Sequence, residues 1–122
     1  MARVLVVEDS PDIRALIRML LQPAGHEVLT AAGGAEALEL LRRERPSAVL
    51  LDLMMPPPDG FEVLYRIRQD PLLRDLPVIV VTAKELTPAD EQTLDRSTLR
   101  VIRKSADSAQ LIEEVLETLR AG

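Results

Sequence analysis

Apolar residues fall along this chain in two rhythms. Short uninterrupted runs, Val4-Leu5-Val6-Val7, Ala48-Val49-Leu50-Leu51 and Val78-Ile79-Val80-Val81, alternate with longer stretches in which apolar residues recur every three or four positions. An apolar run without polar alternation reads as a strand buried on both faces, the pattern of a parallel sheet. The predicted strands are residues 3–7, 27–30, 48–52, 77–82 and 99–103. The first helix opens at Ser10-Pro11, a capping hydroxyl followed by a proline at the first helical position. Ile13, Leu16, Ile17, Leu20 and Leu21 share one of its faces, and Pro23 and Gly25 stop it. A second helix opens at Gly33-Gly34, turns Ala37, Leu38 and Leu41 inward and ends before Pro46. A third opens at Gly60, with Phe61, Leu64 and Ile67 on one face, and stops at Pro71. Thr87-Pro88 begins a short, weakly apolar fourth helix. Asp107 is the expected cap of the last, which faces the core with Leu111, Ile112, Val115, Leu116 and Leu119.

Five strands thus alternate with five helices, the pattern of an α/β domain. Right-handed crossovers leave few topologies for a parallel sheet. The expectation is a (βα)5 doubly wound, five-stranded parallel sheet of order 2-1-3-4-5, flavodoxin-like, with a switch point between the first and third strands. Residues 1–122 are expected to form one domain. In this order the strand ends bring Asp9 beside Asp52, with Thr82 and then Lys104 to the other side.

Composition narrows what such an edge does. The chain has 122 residues, 47% hydrophobic, with one Tyr, one Phe and no Trp. Its core is therefore aliphatic, and an aromatic platform for single-stranded nucleic acid is not expected. A net charge of −5 disfavours direct binding of nucleic acid or an anionic membrane. The absence of cysteine excludes disulfides, thiolate zinc sites and thiol chemistry. Apolar runs are far too short to span a membrane, and the first strand begins too early to leave room for a signal peptide. A cytoplasmic protein is the expectation. Lys84 and Lys104 are the only lysines among 15 basic residues, which draws attention to a lysine placed at a strand end.

The predicted edge carries Glu8, Asp9, Asp52, Thr82 and Lys104. Each alone has an ordinary explanation: a neighbour of a cap, a solvated acid, a β-favouring residue, a surface charge. Asp52 is the exception, because a carboxylate after four apolar residues is costly to bury without a partner. Three close carboxylates repel one another unless a cation intervenes. Mg²⁺ fits an oxygen-only set and keeps several waters. Zinc ordinarily brings His or Cys, and the only histidine, His26, is expected far off at a helix-to-strand turn. A carboxylate can attack phosphorus to form an acyl phosphate, and phosphoryl transfer chiefly needs positioning and charge neutralisation. Lys104 supplies an ammonium and Thr82 a hydroxyl donor.

With Val6-Val7-Glu8-Asp9, Leu51-Asp52 followed by Met55-Pro56 and Asp59-Gly60, Val81-Thr82-Ala83 and Lys104 in order at successive strand ends, the chain resembles the receiver domain of two-component response regulators over essentially its whole length. The resemblance implies that Asp52 accepts a phosphoryl group from a histidine kinase or a histidine phosphotransfer protein. It implies that Glu8, Asp9 and Asp52, with the Met54 backbone carbonyl, hold Mg²⁺, and that Thr82 and Lys104 bind the phosphoryl group. It also implies a signalling domain that assists its own phosphorylation and dephosphorylation, not an enzyme acting on external substrates. An output domain or partner would read the face of the fourth helix, fifth strand and fifth helix. Residues 81–88 are similar to the same stretch in receivers attached to hybrid sensor kinases.

Two positions depart from the family pattern. Ser105 follows Lys104 where proline is typical, so the Lys104–Ser105 bond is expected trans; a non-proline cis bond costs about 3–4 kcal/mol. Val101 stands where an aromatic switch residue is frequent. Two other functions suit the fold. An aspartate-nucleophile, Mg²⁺-dependent phosphatase would carry a general acid two residues after Asp52, where this chain has Met54. A flavin or nucleotide carrier would need a phosphate-cradling first loop, where this chain has Glu8-Asp9-Ser10-Pro11-Asp12.

Overall fold

The computed structural model describes residues 3–104 and 108–121. In chain order the elements are β1 (Arg3–Val7), α1 (Pro11–Leu21), β2 (Glu27–Ala31), α2 (Gly34–Glu44), β3 (Ala48–Leu51), α3 (Gly60–Gln69), β4 (Val78–Thr82), α4 (Pro88–Ser97), β5 (Arg100–Arg103) and α5 (Ser108–Ala121). All sheet pairings are parallel, in the order β2-β1-β3-β4-β5. The expected topology is the one found.

Successive strand residues point to opposite faces, and the core divides accordingly. Leu5, Val7, Val49, Leu51, Val78 and Val80 face one way and pack with Ala37 and Leu41 of α2, Val63, Leu64 and Ile67 of α3 and Leu94 of α4. Val4, Val6, Leu50, Ile79, Val81 and Ile102 face the other way, against Ile17 and Leu21 of α1 and Leu111 and Val115 of α5. The uninterrupted apolar runs exist because both faces are covered.

Helix starts follow local chemistry. The Ser10 side chain accepts from the Ile13 N–H at 3.4 Å, with Pro11 at the first helical position. Asp59 caps α3 by accepting from the Glu62 N–H at 3.0 Å. Thr87 and Asp90 cap α4 reciprocally, each side chain accepting from the other's backbone N–H at 3.1 Å. Several boundaries differ from expectation. Pro23 does not end the helical path at once: Gln22–Ala24 forms a 3-10 turn, and Gly25, in the left-handed region at φ 95°, closes it. β2 extends one residue further, to Ala31; β3 stops at Leu51, β4 starts at Val78 and β5 at Arg100. In α3 the fully buried Val63 joins the expected inward face, because the helix packs against both α2 and the sheet. The expected cap Asp107, the Lys104–Ser105 bond and the side chain of Ile112 lie outside the described residues.

Candidate functional site

The polar residues at the strand ends are carried by continuations of the ladder. The Glu8 N–H donates to the Ala31 carbonyl at 3.1 Å, the Asp52 N–H to the Val7 carbonyl at 3.1 Å, and the Lys104 N–H to the Thr82 carbonyl at 2.8 Å. Each residue is therefore fixed one step beyond its strand. Glu8 is 2% exposed, Asp52 5% and Thr82 fully buried, whereas Asp9 is exposed.

One cation spans the gap between strands. The Lys104 ammonium makes a close ion pair with Glu8 Oε1 and lies 3.3 Å from Asp52 Oδ2. Asp52 Oδ1 accepts from the Met54 N–H at 3.1 Å, and Glu8 Oε2 accepts a long bond from the Ser10 N–H at 3.5 Å. Burial first, and then the hydrogen bond with Asp52, push the Glu8 carboxyl up to about 7, against the pull of Lys104. Burial on its own lowers the Lys104 ammonium, but the Glu8 hydrogen bond and the Asp52 charge outweigh it and leave its pKa above the ordinary value. The two shifts have one origin. Lys104 is shared by two carboxylates, so it is held firmly in its charged form while Glu8 is only partly neutralised.

The carboxylates of Glu8, Asp9 and Asp52 each offer an oxygen, and the three lie within 4.8 Å of one another. This all-oxygen set, with one exposed member giving access from solvent, fits a hard divalent cation such as Mg²⁺. Thr82 stands on the next strand, its Oγ1 accepting from the Lys84 N–H at 3.0 Å. Lys84 in turn reaches Asp90 Oδ2 at 3.0 Å and lies 5.9 Å from the centre of the Phe61 ring. Met54 is at the same rim, 54% exposed.

The loop after Asp52 is pressed against the start of α3. A Cβ on Gly60 would come within 2.3 Å of the Asp52 carbonyl and 2.5 Å of Leu53 Cα. The glycine allows α3 to begin against the backbone that carries Asp52. Asp59-Gly60 is thus more than a turn signal: the aspartate caps the helix and the glycine lets it approach. His26 stands apart from the strand-end cluster, beside a cavity of about 530 Å³ that Ser47 and Pro77 also line.

The sequence model of the response regulator receiver domain matches residues 4–116. The chain belongs to this family. Over 84 residues it is 44% identical to the transcriptional regulatory protein AfsQ1 of Streptomyces coelicolor; the match covers 69% of this chain and 36% of AfsQ1, so the chain spans about a third of that relative's length. Among solved structures, the N-terminal domain of a response regulator receiver protein from Methanoculleus marisnigri is 40% identical, with a TM-score of 0.81 and coverage of 96% and 95% of the two chains. The response regulator TrrA of Thermotoga maritima, solved in complex with Mg²⁺ and BeF, is 34% identical, with a TM-score of 0.81 and coverage of 97% and 99%. The cluster of Glu8, Asp9 and Asp52 lies at the switch point of the sheet and fits the acidic site of a receiver domain.

Two arginines that no motif singles out make contacts of note, one at the strand-end cluster and one beyond it. Arg14 donates from Nη1 to the Glu8 carbonyl at 2.8 Å. Its position in the first turn after the Ser10 cap is the only sequence signal of that contact. Arg68 donates to the Ser97 carbonyl from Nε at 2.9 Å and also from Nη2, and from Nη1 to the carbonyls of Arg74 at 2.9 Å and Leu76 at 2.8 Å. It ties the C-terminal end of α4 to the loop after α3, and nothing in its spacing announces it.

Proposed function

We propose that this chain, as a single receiver unit, accepts a phosphoryl group on Asp52 from a phosphohistidine donor, with Mg²⁺ held by Glu8, Asp9, Asp52 and the Met54 carbonyl. The observation that carries this reading is the convergence of Glu8, Asp9, Asp52 and Lys104 on one rim, with Asp52 buried to 5% exposure and paired to an ammonium at 3.3 Å. When bound, Mg²⁺ supplies charge neutralisation to the transferring phosphoryl oxygens. Asp52 provides the nucleophile: a carboxylate oxygen bonds to phosphorus as the phosphorus–nitrogen bond breaks, and the electron pair leaves with the histidine. Lys104, which bonds both Glu8 and Asp52, can turn its ammonium toward a phosphoryl oxygen while keeping contact with Glu8. The Thr82 hydroxyl accepts a hydrogen bond from the Lys84 N–H, which leaves its own proton free to be donated to a phosphoryl oxygen. Met54 in the general-acid position leaves the chain without the group that a phosphatase acting on outside substrates uses, which supports a signalling role.

The donor is a histidine kinase or histidine phosphotransfer protein. The output partner reads α4, β5 and α5, as the family implies. A cytoplasmic location agrees with the absence, among the described residues, of any helix long and apolar enough to cross a membrane. Incubation with acetyl phosphate and Mg²⁺ tests the reading: intact mass should rise by one phosphoryl group, and a chelator should abolish the gain. Uptake that ignores chelation contradicts the Mg²⁺ part of this reading, and no uptake from any small phosphodonor contradicts the acceptor role.

A further inference from the structure

Glu8 and Asp9 are adjacent in sequence, and a single rigid unit joins them. The peptide group holds Cα of residue 8, its carbonyl, the N–H of residue 9 and Cα of residue 9 in one plane. A donor on the Glu8 carbonyl restrains the turn of this plane, and with it ψ of Glu8 and φ of Asp9, the backbone from which both side chains leave the strand end. Arg14 does this from outside the cluster: its Nη1 donates to that carbonyl at 2.8 Å in a half-buried setting. The other side of Glu8 is held by its N–H bond to Ala31 at 3.1 Å. Arg14 is itself anchored, since its backbone N–H donates to the Ser10 carbonyl at 3.0 Å in the first turn of α1. The exposed Asp9 carboxylate accepts no hydrogen bond among the described residues. Its aim toward Glu8 and Asp52 is set by the backbone at Asp9 and by its own rotamer.

We infer that Arg14 is a positioning residue for the divalent-cation site, clamping the Glu8–Asp9 peptide so that both carboxylates converge on Asp52. This role rests on the Mg²⁺ reading proposed above. Two influences of the same side chain run in opposite directions, which makes the inference testable by sign. A guanidinium beside a cation site repels the cation, so by charge alone its removal tightens Mg²⁺ binding. By positioning, its removal releases the peptide plane and loosens Mg²⁺ binding.

The experiment is calorimetric titration of the full chain with MgCl₂, comparing wild type with Arg14→Gln, Arg14→Met and Arg14→Lys. Glutamine drops the charge and falls short of the Glu8 carbonyl; methionine does the same with an apolar end and serves if the glutamine variant does not fold. Both are expected to weaken Mg²⁺ binding roughly tenfold, the lower end of the range for residues that orient metal ligands. Lysine keeps a donor and is expected to restore most of the loss. The metal-free melting temperature, recorded alongside, separates positioning from plain destabilisation, because the titration is run far below unfolding. Glutamine and methionine variants that bind Mg²⁺ as tightly as wild type, or more tightly, overturn the role of Arg14 and leave the Mg²⁺ site standing. A wild-type chain that gives no Mg²⁺ signal overturns both.

Discussion

Glu8 is 2% exposed and faces Asp52, so burial first and the neighbouring carboxyl second oppose its negative charge, with Lys104 only partly offsetting them. Its folded pKa stands near 7, against an ordinary value of 4.5. A raised pKa means that the folded form holds this proton more tightly than the unfolded chain does. The stability it contributes is complete below about 4.5 and is lost as pH rises through about 7. In metal-free buffer, denaturant unfolding of wild type and Glu8→Gln at pH 5 and pH 8 should show the variant gaining on wild type as pH rises. A gap between them that does not change with pH contradicts this electrostatic origin. The residues of the cluster were legible in the sequence because each follows an apolar run that has to end at the sheet edge. Their different burial was not legible. Glu8 and Lys104 lie 96 positions apart, and only the folded sheet decides that they share a bond and that Asp9 stays outside it.

Among the helices, α4 is held least by apolar contact. Leu94 is its single fully buried residue, and the Lys84–Asp90 pair and the capping box secure its first turn. Its last turn is fastened differently, through the Arg68 guanidinium on the Ser97 carbonyl. Polar contacts near the surface open more easily than buried apolar ones. The Thr82–Lys84 bond links the proposed phosphoryl-binding hydroxyl to the loop before this helix. Val101 is β-branched, restricted at χ1 and without a ring to swing. A response is therefore expected through the loop after Thr82 and the first turns of α4. With beryllofluoride and Mg²⁺, amide exchange should slow in residues 83–94 and stay unchanged in α1 and α2. Protection that changes mainly in α1 contradicts this route. The start of α4 was legible because Thr87-Pro88 is a capping pair. Its fastening was not, since Arg68 and Ser97 are 29 positions apart and no local pattern joins them.

For the whole molecule, the sheet order follows from the number and type of elements: five doubly covered strands joined by helical crossovers admit few arrangements, and the strand-end residues then meet without further assumptions. What the pattern left open was detail that tertiary packing sets, such as the 3-10 turn before Gly25 and the burial of Val63. Metal binding by the folded chain alone should stabilise the entire domain. At a hundredfold excess over its dissociation constant Mg²⁺ should add about 2.7 kcal/mol, seen as a higher melting temperature in Mg²⁺ than in chelator, and Asp9→Asn should reduce the gain. A melting temperature indifferent to Mg²⁺ contradicts a cation site at the switch point. The acceptor itself is tested most directly by locating the adduct. Wild type and Asp52→Asn are treated with acetyl phosphate and Mg²⁺, digested, and mapped by mass spectrometry. The expected result is one phosphoryl group on the peptide carrying Asp52 and none on the variant; a label that persists in Asp52→Asn, or that maps to Asp9 or Thr82, contradicts it.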